Sequence, residues 1–204
     1  LNIVYADSTK GWLPVSDDAV AFDHTAPPTQ KGIFGFGGNA VSITNLVSSS
    51  GVISADVTGV GTARSYLAAA NYGGDKAVFA YGLVDGQGSK NMSNKVSNSG
   101  VVATDTTGVG TARAQLGAAT YGGDKAIFAY GDTGSVSSLK NLVNNSGTFA
   151  SDVAGVGTAR AALSAAEYGG DKAIFGFGFY SPTGITNLVS NIGVVASDTS
   201  AVGT

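Results

Sequence analysis

Tyr72-Gly73-Gly74-Asp75-Lys76-Ala77-Val78-Phe79-Ala80-Tyr81-Gly82 returns almost unchanged at Tyr121 to Gly131 and again at Tyr168 to Gly178, at steps of 49 and 47 residues. A self-similar period of this size marks a repeat architecture, in which one unit cannot bury its apolar face alone and its neighbours must cover it. Within the second copy, Ala126-Ile127-Phe128-Ala129-Tyr130 is apolar or small at every position. A strand with one face in water alternates strictly. This strand is therefore expected to be covered on both faces, with sheets stacked on either side.

Other features keep the same step. Gly-Thr-Ala-Arg places an Arg at Arg64, Arg113 and Arg160, each eight residues after an Asp, at Asp56, Asp105 and Asp152; Asp198 repeats the Asp once more. Asn-Leu-Val occurs at Asn45, Asn141 and Asn187, with Asn94-Lys95-Val96 as the divergent copy. Near the start, Lys31-Gly-Ile-Phe-Gly-Phe-Gly37 matches Lys76 to Gly82, and reading back without a gap sets Phe22 on Leu67 and Ala19 on Arg64. Four units follow, 19–63, 64–112, 113–159 and 160–204, preceded by residues 1–18, an extension or the end of an upstream domain. The last unit stops at Val202-Gly203-Thr204, where the next Ala-Arg would come: four units are complete, or the chain is cut at a repeat boundary.

Each unit reads as four strands, which in the second are Arg64–Tyr72, Lys76–Tyr81, Ser93–Ser97 and Val101–Thr106. Gly73-Gly74 supplies the first turn and Asn98-Ser99-Gly100 the last, where Gly and Asn accept positive φ. The first strand is small-sided (Leu67-Ala68-Ala69-Ala70), as a strand near a crowded axis must be. Four strands per unit of about 45 residues describe propeller blades. The fold expected is all-β, a four-bladed β-propeller-like array forming one domain over 19–204. A stacked β-solenoid and a trimeric β-fibre are the alternatives. A helix is the rival for the Ala-rich segments alone, since Ala has the highest helix propensity, but about eight residues between glycines are few for one.

Composition narrows the function. The 204 residues carry a net charge of −3, only 12% charged residues and 31 Gly. No basic stripe is present to hold nucleic acid, and no window approaches the ~20 apolar residues of a membrane-spanning helix. There is no Cys, His24 is the only His and Glu167 the only Glu. Catalytic triads, His-based metal sites and paired-glutamate glycosidase chemistry therefore begin with almost no parts. No cofactor is expected.

Arg-x-x-Leu-x-Ala-Ala followed by Gly-Asp-Lys-Ala-Ile-Phe-Gly-Phe-Gly resembles a kelch-type propeller blade, without the Trp that often ends such blades. Gly-Val-Gly-Thr-Ala-Arg with Tyr-Gly-Gly-Asp-Lys-Ala-Ile-Phe-Gly resembles tandem repeats of tail-fibre-like virion surface proteins of tailed bacteriophages, over residues 19 to 204. Tyr5-Ala-Asp-Ser-Thr-Lys-Gly-Trp12 resembles segments near domain ends in the same kind of protein. The resemblance implies a place on the virion surface, other virion proteins or copies of itself as partners, and contact with a host-surface glycan. It supplies no catalytic residues.

Several residues carry specific expectations. Asp56 with Arg64, Asp105 with Arg113 and Asp152 with Arg160 read as ion pairs pinning neighbouring blades, with bidentate geometry suited to them; glycan binding by the same Asp is the alternative. Asp75-Lys76, Asp124-Lys125 and Asp171-Lys172 read as solvated turns whose Lys stems cover apolar surface. Their alternative is a Ca²⁺-holding Asp ring, incomplete because Gln30 replaces Asp in the first unit. His24, beside Pro27-Pro28, reads as a surface residue. Tyr5, Trp12 and Leu13 are expected to dock on the propeller. The segments between second and third strands, 83–92, 132–140 and 179–186, vary most, and binding residues favour such loops on a rigid scaffold. Asp85, Gln87, Asp132 and Tyr180 are the ligand-binding candidates.

The leading expectation is a non-enzymatic virion surface or tail-fibre module presenting variable loops for host attachment or glycan binding. The second is a purely structural decoration or assembly module without a ligand. The third, a polysaccharide-acting enzyme, requires two close carboxylates, for which Glu167 and the repeated Asp are the only stock.

Overall fold

The computed structural model describes residues 2–8, 11–16, 32–179 and 184–200. Among them the chain is all-β: fifteen strands, no helix, and several small antiparallel sheets. β1 (Asn2–Asp7) and β2 (Gly11–Ser16) form a hairpin with Tyr5 opposite Trp12. The first repeat supplies β3 (Gly32–Gly35) and β4 (Thr44–Val47). The second supplies β5 (Ala68–Tyr72), β6 (Lys76–Ala80), a small hairpin of β7 (Leu83–Val84) and β8 (Gly88–Ser89), and β9 (Ser93–Val96). The third supplies β10 (Gly117–Tyr121), β11 (Lys125–Ala129) and β12 (Lys140–Val143), and the fourth β13 (Ser164–Tyr168), β14 (Lys172–Gly176) and β15 (Thr186–Val189).

The Ala-rich segments are strands. Ala69 lies opposite Phe79 and Ala70 opposite Val78, in a hairpin closed by Gly73 and Gly74 at φ +63° and +78°. Two consecutive positive φ values make the tight turn that matches strand twist. Tertiary pairing overrides the helix propensity of Ala.

Three strand boundaries differ from the sequence reading. The first strand begins at Ala68 rather than Arg64, because Arg64 and Ser65 bridge to Val41 and Leu83 instead. The second ends at Ala80, because Tyr81 takes φ +65°; Phe36, Tyr130 and Phe177 do the same in the other units. The fourth strand is not a regular ladder. Val102 faces Val96 and Thr106 faces Ser93, so one extra residue is inserted between these bridges. The Asn94 side chain fills the gap, donating to the Ala103 carbonyl and the Asp105 carboxylate. Such a bulge re-aims a side chain, and here it aims Asp105.

The sheets stack face to face through successive core layers. Phe36 packs on Phe79, Tyr81 on Phe128 and Tyr130 on Phe175, with ring centroids 5.2 to 5.8 Å apart. Each layer joins one unit to the next: Ala70, Tyr72 and Val78 meet Leu116, Phe128 and Val143, and Ala119, Tyr121 and Ile127 meet Leu163, Phe175 and Val189. β11 is buried on both faces, as its sequence requires, whereas β3 keeps one face exposed. At the turns, the Gly73 and Gly122 amides donate to the Asp124 and Asp171 carbonyls of the following unit. Ala69, Ala70, Ala118, Ala119, Ala165 and Ala166 from three first strands line one cavity of about 920 Å³, with Gly32 and Ile33 of the first unit.

Candidate functional site

The repeated Asp and Arg meet, but with different partners from those the sequence spacing implied. Arg64 pairs with Asp105 at 3.4 Å and Arg113 with Asp152 at 3.6 Å, not with the Asp eight residues upstream. The upstream Asp ends its own unit, while the linker carries the Arg on to the edge of the next. The contacts are single and long rather than bidentate, because an Asn stands between the two charges. Arg64, Arg113 and Arg160 each donate through Nη2 to Oδ1 of Asn94, Asn141 and Asn187. The same amides donate through Nδ2 to Asp105, Asp152 and Asp198, each at 2.9 Å. Arg160 reaches Asp198 through Asn187, and its Nε donates to the Phe177 carbonyl.

The rest of the linker closes on the same carboxylate. The backbone amide and hydroxyl of Thr62 both donate to Asp105 Oδ2; Thr111 does so to Asp152 and Thr158 to Asp198. Each Arg also lies over the aromatic that closes the preceding unit's second strand: Arg64 over Phe36, Arg113 over Tyr81 and Arg160 over Tyr130, at 5.0, 4.7 and 4.3 Å from the ring centroids. The linker is thus a latch, its Arg on the aromatic of one unit and its Thr and Arg on the Asn–Asp pair of the next. Asn and Thr were visible in the sequence as fixed repeats, but their role needed the bulge that turns Asp towards the linker.

Electrostatics follow from the burial. All three Arg are essentially inaccessible. Burial pulls the Arg64 and Arg113 pKa values down, against the opposing pull of Asp105 on Arg64 and of Tyr81 and Asp152 on Arg113. Burial pushes the Tyr81 phenol up to about 12, and its hydroxyl donates to the Val109 carbonyl. Burial also raises the Asp105 and Asp152 carboxyls, but hydrogen bonds from Thr and Asn together with the Arg charge outweigh it and hold both below the ordinary range. Hydrogen bonds from Thr158 and Asn187 lower Asp198, against a smaller opposing effect of burial. A carboxyl depressed on folding stabilises the fold fully above its unfolded pKa, about 3.9, and loses that contribution as pH falls through the lower folded value. The melting temperature is therefore expected to be steady above pH ~5 and to fall steeply below pH ~4. Asp152→Asn should flatten part of that slope; an unchanged slope in thermal melts across this range would sink the assignment.

The ligand-binding candidates lie elsewhere. Asp85 and Gln87 sit exposed in the β7–β8 hairpin, where the Gln87 amide donates to the Val84 carbonyl. Asp132 pairs with Ala114 through its backbone, and its carboxylate accepts from the Gly134 amide at 2.7 Å. Tyr180 lies outside the described residues, as do Gln30 and His24; the side chains of Tyr5, Trp12 and Leu13 are likewise not described. Leu83, Asp132 and Phe179 bridge to Ser65, Ala114 and Ala161, so these variable segments leave equivalent ends of the stacked second strands. Asp75, Asp124 and Asp171 each accept from the neighbouring Lys at 2.6 to 2.7 Å. Among the described residues, no group of three or more His, Asp or Glu is placed to hold a metal ion. Asp75 and Glu167 are the acidic residues lining the 920 Å³ cavity, and Asp75 is engaged by Lys76 and Asn98. No family model matches the chain, and no curated protein matches it.

Proposed function

We propose that the chain is a display module of a virion surface or tail fibre, its units set as blades of a propeller-like arc around the Ala-lined cavity. The variable segments after the second strands are its binding loops, directed at a host-surface glycan. One observation carries this reading. The repeated residues of each unit hold its neighbours in place, whereas the variable segments differ from unit to unit while leaving equivalent positions. Unit two builds a hairpin there, and unit three a turn around Asp132. A rigid scaffold with variable loops on one edge is the arrangement of a binding module. The resemblance of the repeats to tail-fibre-like proteins supports the setting.

Binding of the purified chain to host cells and to a glycan array tests it. Asp85→Ala with Gln87→Ala, and separately Tyr180→Ala, should weaken binding by about tenfold or more, as loss of a hot-spot residue does, with the melting temperature unchanged. Undiminished binding in both variants would remove these loops from the site. A density gradient locates the protein: peptides of the chain should band with virus particles, and their recovery only in soluble fractions would overturn the virion setting.

A further inference from the structure

Within Arg-x-x-Leu, the second residue after each latch Arg differs in every unit: Tyr66, Gln115 and Ala162 stand between a constant Arg and a constant Leu. In each unit this position lies 17 residues before the start of the variable segment, at Leu83, Asp132 and Phe179. The fold brings the two together. Ser65, Ala114 and Ala161, the residues just before the varying position, bridge to Leu83, Asp132 and Phe179. Tyr66, Gln115 and Ala162 therefore stand at the roots of the variable segments. They lie at the end of the sheets opposite the Gly73-Gly74 turn and its equivalents.

The backbone at this position is constant although the side chain is not. Tyr66, Gln115 and Ala162 take φ +53°, +54° and +51°. The Gln115 amide donates to the Tyr66 carbonyl and the Ala162 amide to the Gln115 carbonyl, each at 2.8 Å. The three residues thus form one row across the units, at about the 4.8 Å pitch of paired backbones. Glycine would take this left-handed conformation at no steric cost, and a bulky residue there is an outlier. Yet Tyr66 keeps its ring, which is 58% exposed, next to buried Arg64 and Ser65. Neither the Tyr66 hydroxyl nor the Gln115 carboxamide has a hydrogen-bond partner among the described residues. Packing within the fold therefore does not account for either side chain.

We infer that this row is the floor of the glycan site, and that its ligand is a neutral oligosaccharide lying along the row. The inference rests on the loop-binding reading and adds to it the ligand class and two contact residues. The Tyr66 ring offers an apolar face to the C–H face of a pyranose. Gln115, one unit along, both donates to and accepts from sugar hydroxyls. Ala162, at the third place, leaves room for a further ring. The hairpin of Asp85 and Gln87 stands beside Tyr66, and the turn of Asp132 beside Gln115. Charge selects against acidic sugars. Lys90 and Lys140 are the cations of the described variable segments, and the Gln87 and Gly193 carbonyls hold them. The exposed Asp85 carboxylate repels a second anion.

An array carrying neutral oligosaccharides and others bearing uronic or sialic acids, probed with the purified chain, tests it. The wild type should retain neutral sugars and pass over the acidic ones. Tyr66→Ala should weaken retention about tenfold or more, and Gln115→Ala should weaken it less. Tyr66→Phe should keep most of it, since the ring makes the contact. The melting temperature should stay unchanged in all three, because Ala162 already holds an alanine at the same backbone conformation. Retention that survives Tyr66→Ala and Gln115→Ala but is lost in Asp85→Ala with Gln87→Ala would leave the loops as the site and overturn the row. Retention of acidic sugars alone would overturn the ligand class. A marked fall in melting temperature in Tyr66→Ala would assign the ring to packing and overturn its role in binding. A chain that retains no sugar would overturn this inference and the loop-binding reading together.

Discussion

Gly110→Ala is expected to lower stability by about 2–5 kcal/mol, because left-handed strain and overpacking of a closed site add. At this chain length the melting temperature should fall by roughly 4–20 °C. Gly110 sits at φ +83°, and a Cβ built there lies 2.3 Å from Asp152 Oδ1 and 2.7 Å from Asn141 Nδ2. Relief would require the Asn–Asp pair to move away from Thr111 and Arg113, which is the latch itself. Gly61 and Gly157 occupy the same place over their own Asn–Asp pairs. Gly38→Ala is the control: φ is ordinary and nothing lies within 4 Å, so its effect should stay within about 0.5 kcal/mol. The damage should be local as well as large. In a stack, stability is close to a sum of unit and nearest-neighbour terms, so Gly110→Ala should uncouple the second unit from the third. Protease should then cut near residue 110 before the rest of the chain melts. A variant melting within about 2 °C of wild type would show that the Asn–Asp pair yields easily.

Much of this was legible in the sequence, and the reasons are particular. The offsets that align Tyr72, Tyr121 and Tyr168 carry directly into equivalent hairpins, because β5–β6, β10–β11 and β13–β14 share one register. The unbroken apolar character of Ala126 to Tyr130 foretold burial on both faces, and β11 has it. The pairing of charges is not legible in the sequence, because spacing along the chain is not proximity. Asp105 and Arg113 are eight residues apart, but a bulge turns Asp105 back towards Arg64, and Arg113 goes forward to Asp152. No local propensity marks such a bulge; it exists because the Asn94 amide replaces the missing ladder bonds. Left-handed backbone at Tyr81 and Tyr130 was equally hidden, since aromatic residues rarely adopt it. It is sustained by the amides of these residues donating to Met92 and Leu139 and by the Arg stacked on each ring.

Arg113→Ala should be the other severe lesion, at about 2–4 kcal/mol and roughly 4–16 °C in melting temperature. The side chain is fully inaccessible and fills the space between Tyr81 and Asn141. Its removal leaves a void over the Tyr81 ring, an unpaired Asn141 carbonyl and a carboxylate without its cation. Asp152 is 25% exposed and keeps Thr111 and Asn141 as donors, which places the cost below that of a fully buried orphan. The guanidinium itself is incompletely matched: Nε and Nη1 have no hydrogen-bond partner among the described residues. Shape and stacking should therefore account for much of the effect, and substitutions can separate the parts. Arg113→Met keeps most of the volume and removes the unmatched donors, so it should lose less than half as much as Arg113→Ala. Arg113→Lys keeps the charge but not the planar stack, and should lie between them. A double-mutant cycle with Asp152→Ala isolates the ionic part, expected at about 1 kcal/mol for a single long contact with a partly exposed carboxylate. If Arg113→Lys melts like the wild type while Arg113→Met melts like Arg113→Ala, charge rather than packing joins the units, and the stack is held electrostatically. If Arg113→Ala itself melts like the wild type, the core layer of Tyr81, Phe128 and Val143 suffices to hold the units together and the latch only sets their register.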